Sequence, residues 1–83
     1  MDLTLGQVVY SVAGRDKGNK FVVIDIVDES YVLISDGDLR RIENAKRKKL
    51  KHIKITGEVI QTLCDKLEKK DRVSNSEIRK ALS

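Results

Sequence analysis

Between Gly6 and Ile24 two β-rich runs enclose a short basic loop bracketed by Gly14 and Gly18. The glycines supply backbone angles that a residue with a Cβ resists, so the chain can reverse tightly between the two runs. Arg15, Lys17 and Lys20 sit on or just after this connection. A rigid strand pair that presents such a loop is suited to contacting phosphates, although charged turns also join strands in many β proteins.

The β pattern continues beyond the loop. Val8, Tyr10 and Val12 alternate with Val9 and Ser11, and Phe21 to Val27 is almost continuously apolar and β-branched. Tyr31-Val32-Leu33-Ile34 follows the polar turn Asp28-Glu29-Ser30. Asp36-Gly37 is a two-residue hairpin signal leading to a fourth strand over Leu39–Ile42, and a fifth is expected around Leu50–Ile55. The basic run at Ala45–Lys49 then lies between the last two strands. Short strands with apolar residues on both faces suit a small closed barrel better than a flat sheet. Val8, Tyr10, Val22, Ile24, Ile26, Leu33 and Ile42 are the expected core.

After residue 56 the period changes. Val59, Ile60, Leu63, Cys64 and Leu67 recur at helical spacing, which predicts a helix of about 12 residues capped by Thr56. Ser74-Asn75-Ser76-Glu77 has the spacing of a capping box and starts a second helix with Ile78, Ala81 and Leu82 on its apolar face. Short helices cannot bury such stripes alone, so both should pack on the barrel or on each other. The expected division is a barrel over residues 1–56 and a two-helix extension over 57–83, giving a mainly β chain.

The net charge of +4 is unevenly placed. Residues 36–56 carry eight cations against three anions, whereas residues 1–35 carry three against five. The excess centres on Lys46-Arg47-Lys48-Lys49, with Arg40, Arg41 and Lys51 nearby. Concentrated positive charge on an otherwise mixed surface is the footprint of a polyanion partner.

Catalysis finds little support. His52 is the lone histidine and has no ligand cluster around it, so no metal is expected. Cys64, the single cysteine, falls on an apolar helical stripe without a base, and it excludes a disulfide within the chain. Asp25 with Asp28, and Asp36 with Asp38, flank strand ends and a turn. The Gly14–Gly18 loop lacks the spacing of nucleotide-binding glycine motifs. No enzyme, cofactor or small-molecule substrate is expected, and no apolar run is long enough to span a bilayer. The sequence reads as a cytoplasmic protein, monomeric when free. Tyr10, Phe21 and Tyr31 lie in strand patterns as core residues, which disfavours stacking on single-stranded bases.

The segments Gly6-Gln7-Val8-Val9, Ala13-Gly14-Arg15-Asp16-Lys17-Gly18 and Phe21-Val22-Val23-Ile24-Asp25, followed by Tyr31-Val32-Leu33-Ile34 and Asp36-Gly37, resemble the KOW-domain family. The order is most similar to its branch among large-subunit ribosomal proteins, because Lys20-Phe21 stands where many KOW motifs of transcription factors have a further glycine. The resemblance covers about residues 5–55 and leaves the helical tail unexplained. It implies an SH3-like β-barrel that binds ribosomal RNA through the loop after its first strand. Carried over by position, Arg15, Asp16, Lys17, Asn19 and Lys20 become contact candidates, with Gly14 and Gly18 shaping the loop. Arg40, Arg41, Lys46, Arg47, Lys48, Lys49 and Lys51 form a second candidate set. The alternative is a protein-interaction module of the transcription or translation machinery, docking through the barrel.

Overall fold

A computed structural model describes residues 3–83. Five antiparallel strands form one sheet: β1 (Gln7–Ser11), β2 (Lys20–Ile26), β3 (Tyr31–Ser35), β4 (Lys46–Lys49) and β5 (Ile53–Val59), in the order β4-β3-β2-β1-β5. The first four form a meander, and β5 returns to pair with β1. Only a 3₁₀ turn, Leu50–His52, separates β4 from β5, as in an SH3-like fold. Two helices follow, α1 (Gln61–Glu68) and α2 (Asn75–Leu82).

Strand alternation explains why apolar residues occupy both faces. Val9, Phe21, Val23, Val32, Ile34 and Ile53 form the inner cluster, sealed by Leu3, Leu5 and Leu50. On the outer face Val22 joins Leu63 of α1 and Ile78 of α2, flanked by Ile24, Ile42, Ile60, Leu67, Val73, Ala81 and Leu82. The expected core therefore mixed two layers. Val8 and Val22 are buried, and Ile24 and Ile42 pack against the helical layer. Tyr10 and Ile26 are surface residues instead, at 36% and 43% exposure. A bulge in β2 between Val23 and Asp25 breaks the alternation and leaves the end of the strand uncovered.

Three local expectations change. Leu39–Ile42 is not a strand. The Asp36 carboxylate accepts from the N–H groups of Asp38 and Arg40, and the Asp36 N–H donates to the Arg40 carbonyl. This closes a tight loop before a 3₁₀ turn at Ile42–Asn44. The basic run, expected between strands, is itself β4. Thr56 does not cap α1: its hydroxyl donates to the Val8 carbonyl at 2.7 Å, and Val59 belongs to β5. The Gln7 amide, buried in the β1–β5 irregularity, donates to the carbonyls of Thr56 and Glu58 and satisfies backbone that the shifted ladder leaves unpaired.

The capping box at α2 forms as expected. Ser74 Oγ accepts from the Glu77 N–H at 3.1 Å, and the Glu77 carboxylate accepts from the Ser74 N–H at 3.2 Å. Ser74→Ala should cost about 1 kcal/mol of local stability. Faster amide exchange over residues 75–82 is the expected readout, and unchanged exchange would remove the cap from the account. Asn75 fastens the same helix to the loop before β4. Its Oδ1 accepts from the Ile42 N–H at 2.8 Å and its Nδ2 donates to Glu43 at 2.9 Å.

Acid should loosen this helix first. The bond from Asn75 holds the Glu43 carboxyl below its ordinary value, and Lys66 with the Ser74 N–H does the same for Glu77. A carboxylate whose folded value is lowered stabilises the fold above its unfolded value and loses that contribution as pH falls through the folded one. Exchange over 75–82 should therefore accelerate below the ordinary glutamate range while β1 stays protected. Simultaneous loss of protection in both would show that these carboxylates do not hold α2 separately.

Candidate nucleic-acid interface

The loop between β1 and β2 is a fixed object. Ser11 accepts from the Gly18 N–H at 2.8 Å and donates its own N–H to Asn19 at 3.0 Å, closing the loop at its base. Gly14 and Gly18 have φ of 75° and 88°, the left-handed region that residues with a Cβ rarely adopt. Asp16 turns inward, at 6% exposure, and its carboxylate accepts from Arg40 Nε at 3.3 Å and Nη2 at 3.1 Å. A two-point carboxylate–guanidinium contact fixes orientation as well as distance. It joins this loop to the one that follows β3.

A second tie comes from β4. Its register places Lys48 opposite Val32 and Lys46 opposite Ile34, on the side of the inner cluster, and Arg47 opposite Leu33 and Lys49 opposite Tyr31 on the outer side. Successive side chains of a strand point to opposite faces, so four consecutive cations cannot share one surface. Lys48 is buried, with its stem over the core and its ammonium donating to the Ala13 carbonyl at 2.9 Å. Arg47 instead lies over the ring of Tyr31, 4.3 Å from the centroid.

The candidates named from sequence thus divide. Arg15, Lys17, Asn19, Arg41, Arg47, Lys49 and Lys51 are exposed, and Lys20, Arg40 and Lys46 are half-buried. Asp16 and Lys48 are spent on bracing. Their contacts bring three separated basic segments, 14–20, 40–41 and 46–51, into one neighbourhood. Among the described residues the structure gives only two ion pairs, Arg40–Asp16 and Lys66–Glu77, so the exposed cations of these segments keep their charge for a ligand.

Sequence reasoning missed Lys54 and the setting of two aromatics. Tyr10 pairs with Lys20 on one side and Lys54 on the other, making a lysine–tyrosine–lysine row across β2, β1 and β5. Only ladder register could have shown this, because the three residues are far apart in the chain. Phe21 is core, as expected, whereas Tyr10 and Tyr31 face outward. Among the described residues no His, Cys, Asp and Glu cluster could hold a metal, and no helix is long and apolar enough to cross a membrane.

No family model matches the chain. Curated relatives do. A large ribosomal subunit protein eL14 from Pyrobaculum calidifontis is 38% identical over 80 residues, 96% of this chain and 71% of the relative. The protein of that name from Pyrobaculum aerophilum is 37% identical over 82 residues with the same coverage. That from Staphylothermus marinus is 36% identical over 58 residues, 70% of this chain and 60% of the relative. The two Pyrobaculum matches cover nearly the whole chain, helical tail included.

Proposed function

Because the chain belongs to the family of large ribosomal subunit protein eL14, we propose that it is a non-catalytic component of the ribosome, in the cytoplasm, that binds ribosomal RNA through backbone phosphates. The family is one of structural proteins rather than enzymes. The observation that carries the RNA reading is the gathering of three basic segments by the Asp16–Arg40 and Lys48–Ala13 contacts. Arg15, Lys17 and Lys20 hold phosphates from the first loop, and Arg41, Lys46, Arg47, Lys49 and Lys51 hold them from the β3–β4 connection, β4 and the turn after it. Lys54 extends the surface across β5. Asp16, Arg40 and Lys48 set the loop shape, with Gly14 and Gly18. The five strands, through the end of β5, carry this surface, and the helices that follow pack on the outer face of the sheet around Val22. Free in solution the chain is a monomer.

The test is sedimentation of the native protein with large-subunit particles at low and high salt. Phosphate contacts release counterions, so association should fall steeply as salt rises. Leu39, 76% exposed at the tip of its loop, favours the second reading, a protein-docking module. Co-sedimentation that ignores salt would support docking and defeat the phosphate reading.

A further inference from the structure

A cleft of about 560 Å³ opens where β3 begins and β4 ends, lined by Glu29, Ser30, Tyr31, Lys49, Leu50 and Lys51. Its walls are fixed. The Asp28 carboxylate accepts from the N–H groups of Ser30 and Tyr31 at 2.8 and 2.9 Å, and the Leu50 N–H donates to the Ser30 carbonyl at 2.9 Å. Tyr31 and Lys49 face each other across the β3–β4 ladder, and Arg47 lies over the tyrosine ring. The chemistry is mixed in a definite way: an aromatic and an aliphatic side chain, two ammonium groups, and one carboxylate. Among the described residues no side-chain hydrogen bond or ion pair engages Glu29, Lys49 or Lys51.

We propose that this cleft receives one unpaired nucleotide of the bound RNA. The base packs between Tyr31 and Leu50, and its phosphate lies on Lys49 and Lys51. Base faces stack on aromatic rings whatever their sequence, and clefts of this size are typical of small-ligand sites. Glu29 adds selectivity. An ionised carboxylate only accepts hydrogen bonds, so it favours bases that present an exocyclic amino group and disfavours uracil, whose single donor, N3–H, lies between two carbonyls that repel the carboxylate. The phosphate surface alone would be satisfied by a continuous duplex; this cleft asks for a base outside the stack. The inference rests on the RNA-binding reading above.

The probe is a ribosomal-type RNA hairpin carrying a single bulged A, G, C or U, against the same hairpin fully paired. Wild type should bind the A, G or C bulge about tenfold tighter than the paired hairpin, in line with the usual contribution of one stacked base. The uracil bulge should gain several-fold less. Tyr31→Leu should abolish the bulge preference while leaving the salt slope for the paired hairpin unchanged, because no charge is lost, and Tyr31→Phe should keep the preference. Glu29→Gln, a surface change without risk to folding, should narrow the gap between uracil and the other bases. Equal binding of bulged and paired hairpins by wild type would overturn the nucleotide subsite while leaving phosphate binding standing. Failure to bind any hairpin at low salt would overturn both.

Discussion

Gly37→Ala should lower the melting temperature by roughly 15 °C, for a loss of about 3 kcal/mol at ~5 °C per kcal/mol. Two penalties combine at this position. Gly37 has φ of 75°, where an L side chain is strained, and an added Cβ would overlap the Asn75 carbonyl and lie 3.1 Å from Arg79 Cγ. Arg79 also donates to the Gly37 carbonyl at 2.6 Å, so relief of the overlap would break a contact that fastens α2. The helix carries Ile78, fully buried, whose removal from water is worth about 2 to 3 kcal/mol. Gly18→Ala is the control. Its φ is 88°, but nothing lies within 4 Å of the added carbon, so only about 1 kcal/mol of backbone strain should appear. Equal melting shifts for the two variants would show that the close approach of α2 contributes nothing.

Neutralising β4 should separate its two faces. Arg47→Gln with Lys49→Gln removes two outward charges, so the slope of log affinity against log salt should become shallower by about 1.8. Across a fourfold rise in salt that amounts to a roughly 12-fold smaller loss of affinity. Lys46→Gln with Lys48→Gln should change the slope by about 1 at most, because the Lys48 ammonium is already held by Ala13. Its main effect should be displacement of the loop, visible as chemical-shift changes at Gly14 and Arg15. Replacing all four should change the slope by roughly 2 to 3, below the ~3.6 for four independent contacts. A titration of ribosomal RNA fragments decides the matter: identical slopes for the two pairs would contradict the alternating arrangement.

Much of this architecture was legible in the residues. Alternation and β-branching marked β1, β2 and β3, the glycine-bracketed loop announced itself, and the spacing of Ser74 and Glu77 specified the start of α2. The misreadings share a cause, which is that local pattern does not contain ladder register. Leu39–Ile42 looks like a strand because it is apolar at both ends, yet Asp36 captures the local N–H groups and turns the segment into a loop. Lys46–Lys49 looks like solvent-facing coil because it is charged throughout. It becomes a strand because β3 offers unpaired backbone, and long lysine stems can lie over a core. Core residues from both faces of β2 were pooled because the helical layer covering one face comes from the far end of the chain. The candidate site divided for the same reason. Charge located the basic segments, but only long-range contacts show that Asp16 and Lys48 brace the loop and that Tyr10 and Tyr31 lie among cations.

The strand order also bears on how the protein behaves at high concentration. β4 and β5 each have a single ladder neighbour, so each offers backbone hydrogen-bonding groups to a passing chain. On β4 those groups are fenced by four consecutive cations, and a second copy approaching in the same way would set lysine against lysine. On β5 the irregularity near Gly57 interrupts the straight run that a foreign strand would need. The charges proposed to hold a polyanion therefore also keep copies of the protein from zipping together. Polyanions that mask them without covering the backbone would remove that protection, making excess short polyphosphate a condition under which this chain should aggregate.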